Sequence, residues 1–209
     1  MSGSELGLLG LPQGERDRLI AAFVLLTAAR GYDGLDPELL CRHAGVSAGS
    51  FQRHFPDLRD CFNAAWDRLE AIYLQRIASA YEGLEDWREK LRAGIGETLA
   101  LIDAHPAPAR FLTVEALAAG ELGRTRQREL ADRLAELLDR ASASLDAPAQ
   151  APESASRWVL AMVFDRVYRH LASGSEARLS DQLPQLMFLA VSPYVGPEAG
   201  LEELRIATQ

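Results

Sequence analysis

Apolar side chains recur along this chain at three- and four-residue spacing almost throughout, carried by Ala and Leu with Arg and Glu between them, and no segment alternates β-branched and polar residues. That periodicity confines the chain to an all-α fold. The first helix is predicted from Glu15 to Arg30, with Leu19, Ile20, Phe23, Leu26 and Thr27 on one side and Gly31 where a left-handed cap is favoured. Asp36 as N-cap and Pro37 in the first turn open a compact second helix, DPELLCRHA, which stops at Gly45.

Val46 then plugs the core, and Ser47 is expected to cap a short third helix, AGSFQRHF. Pro56 and a new cap at Asp57 end it and begin a long helix over Leu58 to Tyr81, with Phe62, Trp66, Leu69, Tyr73 and Ile77 at helical spacing. Further helices are expected near Trp87 to Ala104, Ala109 to Ala119, Glu121 to Ser142, Ser154 to Ser173 and Ser180 to Val195. His105-Pro106-Ala107-Pro108 separates one pair, and Leu145 to Glu153 is expected to be a flexible loop. There is no internal repeat.

The third helix raises the functional question. At 100° per residue, Phe51 and Phe55 share an inner face, and Arg53 lies almost opposite with Gly49 and Ser50 beside it. An outer face so polar and so small suits a bulky polar partner. Gly49 lets a backbone come close, Ser50 can meet a base edge or phosphate, and Arg53 can reach guanine or phosphate bidentately. The helix N-terminus adds a positive dipole, the arrangement by which a recognition helix enters the major groove. An ordinary helical hairpin with a wet polar face fits the same geometry. Charge favours local DNA contact: Arg42, Arg53 and Arg59 stand against Asp57 alone between positions 42 and 59, inside a 209-residue chain of net charge −8. Such a balance argues against non-specific coating of nucleic acid.

From Arg16 to about Leu69, and above all in LLCRHAGVSAGSFQRHFPDLRDCF, the sequence resembles the DNA-binding domain of the TetR family of transcriptional regulators. The family pattern AGVS-x-G-[ST]-[LF]-Y-x-[HY]-F-x-[ST]-K is met in register at most anchors, and two of the departures matter. Gln52 stands where the family usually has a phosphate-contacting tyrosine, and Leu58 where it has a lysine. The segments HPAPARFLTVEALAAG and LPQLMFLAVSPYVGPE resemble the family's regulatory half more loosely.

The resemblance implies an N-terminal helix-turn-helix, three-helix DNA-binding domain followed by a larger helical ligand-binding and dimerisation domain. The expected division is a tail over 1–14, the DNA-binding domain over 15–62, the ligand-binding and dimerisation domain over 63–195, and a C-terminal tail over 196–209. Carried over by position, Ser50 meets a base or phosphate, Gln52 stands at the phosphate position and Gly49 permits close approach. Ser47, at the start of the third helix, joins the candidates for DNA contact, and charge and facing add Arg42, Arg53, His54 and Arg59, with a capping or packing role for His54 equally open.

The resemblance further implies a repressor that binds a palindromic double-stranded operator as a homodimer through its last two long helices and is released by a small-molecule effector. An apolar pocket with a few orienting polar groups would draw on Trp66, Tyr73, Trp87, Phe111, Met162, Asp165 and Tyr168, each of which also fits plain core. Asp165 with Arg166 and Arg169 suggests a polar end to such a cavity or, equally, a solvated face. A protein of the same fold that binds lipid or another small molecule and has lost DNA binding is the alternative, prompted by Gln52 and Leu58.

His43, His54, His105 and His170 have no metal-ligand spacing, and HExxH, GxSxG, Walker A and strand-following GxGxxG motifs are absent from the sequence, so neither enzyme chemistry, metal nor cofactor is expected. Cys41 and Cys61 are too few and too far apart for a disulfide scaffold or zinc ribbon. Apolar runs too short for a bilayer, and an opening MSGSELGLLGLPQG without signal-peptide character, lead us to expect a cytoplasmic protein without membrane partners.

Overall fold

The computed structural model describes residues 14–142 and 154–206. Among them there is no strand. Helix α1 spans Glu15–Arg30, and a 3-10 turn at Tyr32–Gly34 leads to α2, Pro37–Ala44. Next come α3, Ser50–His54, and α4, Leu58–Ala80. Helix α5 spans Trp87–Ala104, and α6, Pro106–Arg110, runs through a π-helical turn at Phe111–Glu115 into α7, Ala116–Ala118. Helices α8, Glu121–Ser142, and α9, Ala155–Ser173, precede a 3-10 turn at Leu179–Gln182. The chain continues with α10, Leu183–Val195, and α11, Pro197–Ile206.

Three local expectations change. Ser47 does not cap α3 with its side chain: the helix begins at Ser50 after a turn in which the Ser50 amide donates to the Ser47 carbonyl at 2.9 Å. The expected helix over Ala109 to Ala119 starts earlier, at Pro106, because a proline in the first turn sacrifices an amide that no helix would use there. The expected C-terminal tail holds α11, set off by Gly196 at φ 92°, a conformation that favours glycine. The expected loop at 145–153 lies outside the described residues.

The chain packs as two compact units, whose boundaries fall within α4, near the end of α5 and within α8. The first holds the described residues up to Leu74 together with Ala104–Gln127; the second holds Gln75–Asp103 and the described residues from Arg128 onward. Packing therefore divides the chain differently from the expected boundary at 62/63, since Ala104–Gln127 joins the first unit.

The first unit is built on an aromatic cluster. Phe62 is fully buried, with ring centroids 5.1 Å from Phe111, 5.9 Å from Trp66, 5.9 Å from Tyr32 and 6.4 Å from Phe23. These are the offset and edge-on separations at which aromatic pairs attract beyond their buried area. Phe111 begins the π-helical turn, and a π turn leaves carbonyls out of the regular ladder. Gln127 of α8 braces this turn, donating through Nε2 to Leu112 O at 2.9 Å and Thr113 O at 2.8 Å.

The second unit has its own core, formed by Trp87, Leu138, Ala155, Val159, Met187, Ala190, Val191 and Tyr194. Two polar clips hold its periphery. Arg92 donates to the buried carboxylate of Glu203 and Arg88 reaches Glu202 at 3.1 Å, fastening α11 to α5. Asp103 accepts the amides of Leu179 at 2.7 Å and Ser180 at 3.0 Å, fixing the turn before α10. No helix of the described residues is long and apolar enough to cross a membrane.

Candidate nucleic-acid interface

The candidate interface is the segment from α2 to the start of α4, within the first unit. Asp36 Oδ1 accepts the Leu39 amide at 2.7 Å at the head of α2, and Gly45, at φ 64° and ψ 40°, ends that helix in the left-handed conformation a side chain would resist. Arg18 Nε donates to Ala44 O at 3.2 Å, satisfying one carbonyl of the last turn. The tight bend that follows brings α3 across.

Helix α3 has only five residues and cannot stand on its own hydrogen bonds. Its inner face secures it: Phe51 and Phe55 are buried with centroids 5.7 Å apart, and the Arg16 guanidinium lies 5.2 Å from the Phe55 centroid. Asp57 Oδ1 accepts the Asp60 amide at 2.9 Å and starts α4 directly afterwards.

With that face fixed, Gln52 and Arg53 project to solvent, together with Arg42, Ser47, Gly49 and Arg59 from the flanking segments. Arg42 makes a long exposed ion pair with Glu38 at 3.7 Å. Gly49 is not required by its backbone, φ −79° and ψ −5°, and a Cβ at this position would have Arg53 Nη1 as its nearest neighbour, at 3.8 Å. An open approach is thus the property its missing side chain supplies.

Ser50 is a correction. The expectation placed it on the outer face, but its residue is wholly buried and its hydroxyl donates to Glu15 Oε2 at 2.7 Å. Helix α1 covers it there. The same carboxylate oxygen accepts Arg53 Nη2 at 3.0 Å and lies 3.4 Å from His54 Nε2, so His54 is half-buried against α1 with its ring nitrogen toward Glu15. The Ser50 hydrogen bond, followed by that of Arg53 and with His54 adding, outweighs desolvation and holds the Glu15 carboxyl down to about 2.

Glu15 is the site residue that sequence reasoning missed. An acid in the first turn of a helix is ordinarily explained by the helix dipole, and nothing in the local pattern points across to α3. Its neighbours behave alike: Arg16 covers Phe55, Asp17 accepts from Arg68 Nη1 at 2.6 Å, and Arg18 reaches Ala44. Four consecutive residues fasten α1 to the rest of the unit.

The residues expected to line an effector pocket fall in both units. In the first, Trp66 and Phe111 are fully buried in the aromatic cluster, and Trp66 Nε1 donates to Glu70 Oε2 at 3.1 Å. Tyr73 is buried, its hydroxyl has no hydrogen-bond partner, and burial pushes its ionisation far above the usual phenol range. In the second, Trp87 is in the core and Met162 packs against it. Asp165 and Tyr168 are exposed on α9, where Asp165 pairs with Arg169 at 2.8 Å. The suggested polar end of a cavity is therefore a solvated helix face within this chain, as one-turn acid–base spacing favours. Among the described residues no group of acids, histidines and cysteines is placed to hold a metal.

No protein-family model matches the chain. It is similar to the nucleoid occlusion factor SlmA of Vibrio vulnificus, 24% identical over 131 residues, which takes in 62% of this chain and 64% of that protein, under two thirds of its length. In three dimensions it is similar to the transcriptional regulator FadR of Bacillus subtilis, solved in complex with stearoyl-CoA, with TM-score 0.75 and 17% identity over 84% of this chain and 97% of that one. A TetR-like transcriptional regulator from Rhodococcus sp. RHA1 superposes with TM-score 0.68 and 18% identity, covering 87% of this chain and 97% of the other. At these identities the likeness speaks to architecture, and by it the chain has the all-helical fold of the TetR-like transcriptional regulators.

Proposed function

We propose that the protein is a DNA-binding transcriptional regulator, a repressor that holds a palindromic operator as a homodimer and is released by a small, largely apolar effector. The observation that carries this reading is the outer face of α3: Gln52 and Arg53 project beside the open Gly49, while Phe51 and Phe55 lock the helix from behind. A short helix anchored on one side and bare on the other offers its outer residues to a groove, with Arg42 and Arg59 at the flanks for phosphate. The N-terminal region, 15–62, is then the DNA-binding part, and 63–195 the part for effector and partner.

Exposed Trp158 and Tyr168 on α9 and Leu189 on α10 support pairing of two chains through these helices, since large apolar side chains left in water favour burial against a second copy. Two recognition helices a DNA turn apart are what a palindrome needs. An apolar effector with one polar group suits the buried, unpartnered Tyr73 hydroxyl, and the stearoyl-CoA complex of the Bacillus subtilis neighbour supports that chemical class. Effector and DNA would oppose each other by linkage.

A binding protein without DNA affinity is the second reading. Gln52 and the uncharged Leu58 favour it, because both stand where the family places phosphate contacts. A mobility shift with DNA from around the protein's own gene, at fixed salt against excess random duplex, separates the two. A competitor-resistant shift is expected; a folded dimer with no shift supports the second reading. Arg53→Ala should cost about 1–3 kcal/mol of operator affinity with helix content unchanged, and Arg59→Ala should make the log–log salt slope shallower by about one unit.

A further inference from the structure

Three donors from α3 converge on one oxygen of Glu15: Ser50 Oγ at 2.7 Å, Arg53 Nη2 at 3.0 Å and His54 Nε2 at 3.4 Å. A hydroxyl, a guanidinium and an imidazole around a single anionic oxygen are the donor set that proteins use for a phosphate oxygen. Here the anion is supplied from within. We propose that Glu15 is an intramolecular stand-in for a DNA phosphate, neutralising the recognition helix in the free protein and lowering its affinity for DNA of any sequence. This inference rests on the DNA-binding reading and deepens it.

The geometry allows exchange. The Arg53 side chain is 59% exposed and that of Glu15 38%, so the pair is an accessible surface contact that a duplex can displace. The hydroxyl of Ser50 is buried behind it and holds the carboxylate in place when Arg53 leaves. With its carboxyl held to about 2, Glu15 keeps its charge at every pH at which the protein would work.

The penalty does not depend on sequence, because it acts on charge. Random duplex is held almost wholly by phosphate contacts and an operator by phosphate and base contacts together, so both lose the same increment and only the operator keeps a strong remainder. Glu15 thus lowers the overall level of DNA binding, with the ratio of operator to random-duplex affinity unchanged.

The test compares wild-type protein, Glu15→Gln and Glu15→Gln/Arg53→Ala on a random 30-base-pair duplex (about three helical turns) and on DNA from around the protein's own gene, across a salt series. Glutamine keeps an acceptor for Ser50, and far-ultraviolet circular dichroism verifies the fold of each variant. The expected result is about tenfold tighter binding of random duplex by Glu15→Gln at 0.1 M salt for each recognition helix, with a salt slope steeper by about one unit. The gain should vanish in the double variant.

Wild-type protein that binds DNA while Glu15→Gln binds equally or more weakly overturns the role of Glu15 and leaves the DNA-binding reading standing. Absence of measurable binding to either duplex by folded wild-type and Glu15→Gln protein at low salt overturns both.

Discussion

Replacing Ser50 by alanine separates a residue that faces DNA from one that faces the protein. The hydroxyl is wholly buried and donates at 2.7 Å to a carboxylate. A hydrogen bond to a charged group contributes about 1.5–3 kcal/mol net. Two features bring the figure down at this site: the Glu15 side chain is 38% exposed, and in the variant it would keep Arg53 and His54. Solvent screening and the surviving partners leave about 1 kcal/mol.

The methyl of alanine fits wherever the CH₂OH of serine fits, so no clash adds to the loss. For a chain of this size about 1 kcal/mol lowers the melting midpoint by roughly 2–4 °C. Thermal melting followed by far-ultraviolet circular dichroism reads it directly. DNA affinity, measured well below the midpoint, should change less than Arg53→Ala changes it, because Phe51 and Phe55 still seat α3. An unmoved midpoint with a selective loss of operator over random-duplex affinity would refute the burial argument and return Ser50 to the groove.

Phe62→Ala should be far more damaging, about 3–5 kcal/mol, since it empties the centre of the aromatic cluster; chemical denaturation would register it, and a loss under 1 kcal/mol would contradict the packing described. Gly200→Ala should destabilise by about 1 kcal/mol or more despite better helix propensity, as the new Cβ would collide with Ser192 Oγ and lie 3.0 Å from the Phe188 carbonyl oxygen; a stabilised variant would show that α10 and α11 are further apart.

Acid should loosen the turn before α10. Burial opposes ionisation of Asp103, but hydrogen bonds from Ser180 and Leu179 and the nearby Arg178 prevail and hold its carboxyl below the usual 3.8. The stability it confers is present above that value and is lost as pH falls through the depressed one, so Asp103→Asn should flatten the acid limb of a stability–pH curve below about pH 4. An identical limb in the variant would remove the clip from the account.

Local chemistry was readable in advance wherever one helical turn contains the whole interaction. The Asp36 and Asp57 caps, the stop at Gly45, and the inner pair Phe51 and Phe55 all follow from residues at most four apart, and each is found where the pattern put it. The bare outer positions of α3 were legible for the same reason, except at Ser50. On a helical wheel Ser50 lies beside Arg53, and only the placement of α1 turns it into a buried donor.

The sequence by itself determined an all-helical chain, the helix-turn-helix and the side of the third helix that must be inside, because periodicity and caps act over a few residues. Only the tertiary structure decided that Glu15 closes on Ser50 across 35 residues, that Asp103 holds the amides of Leu179 and Ser180 across 76 and 77, and that Ala104–Gln127 packs with the N-terminal helices. Those contacts bring together groups whose separation along the chain leaves no periodic trace, so they exist only once the buried faces have chosen their partners.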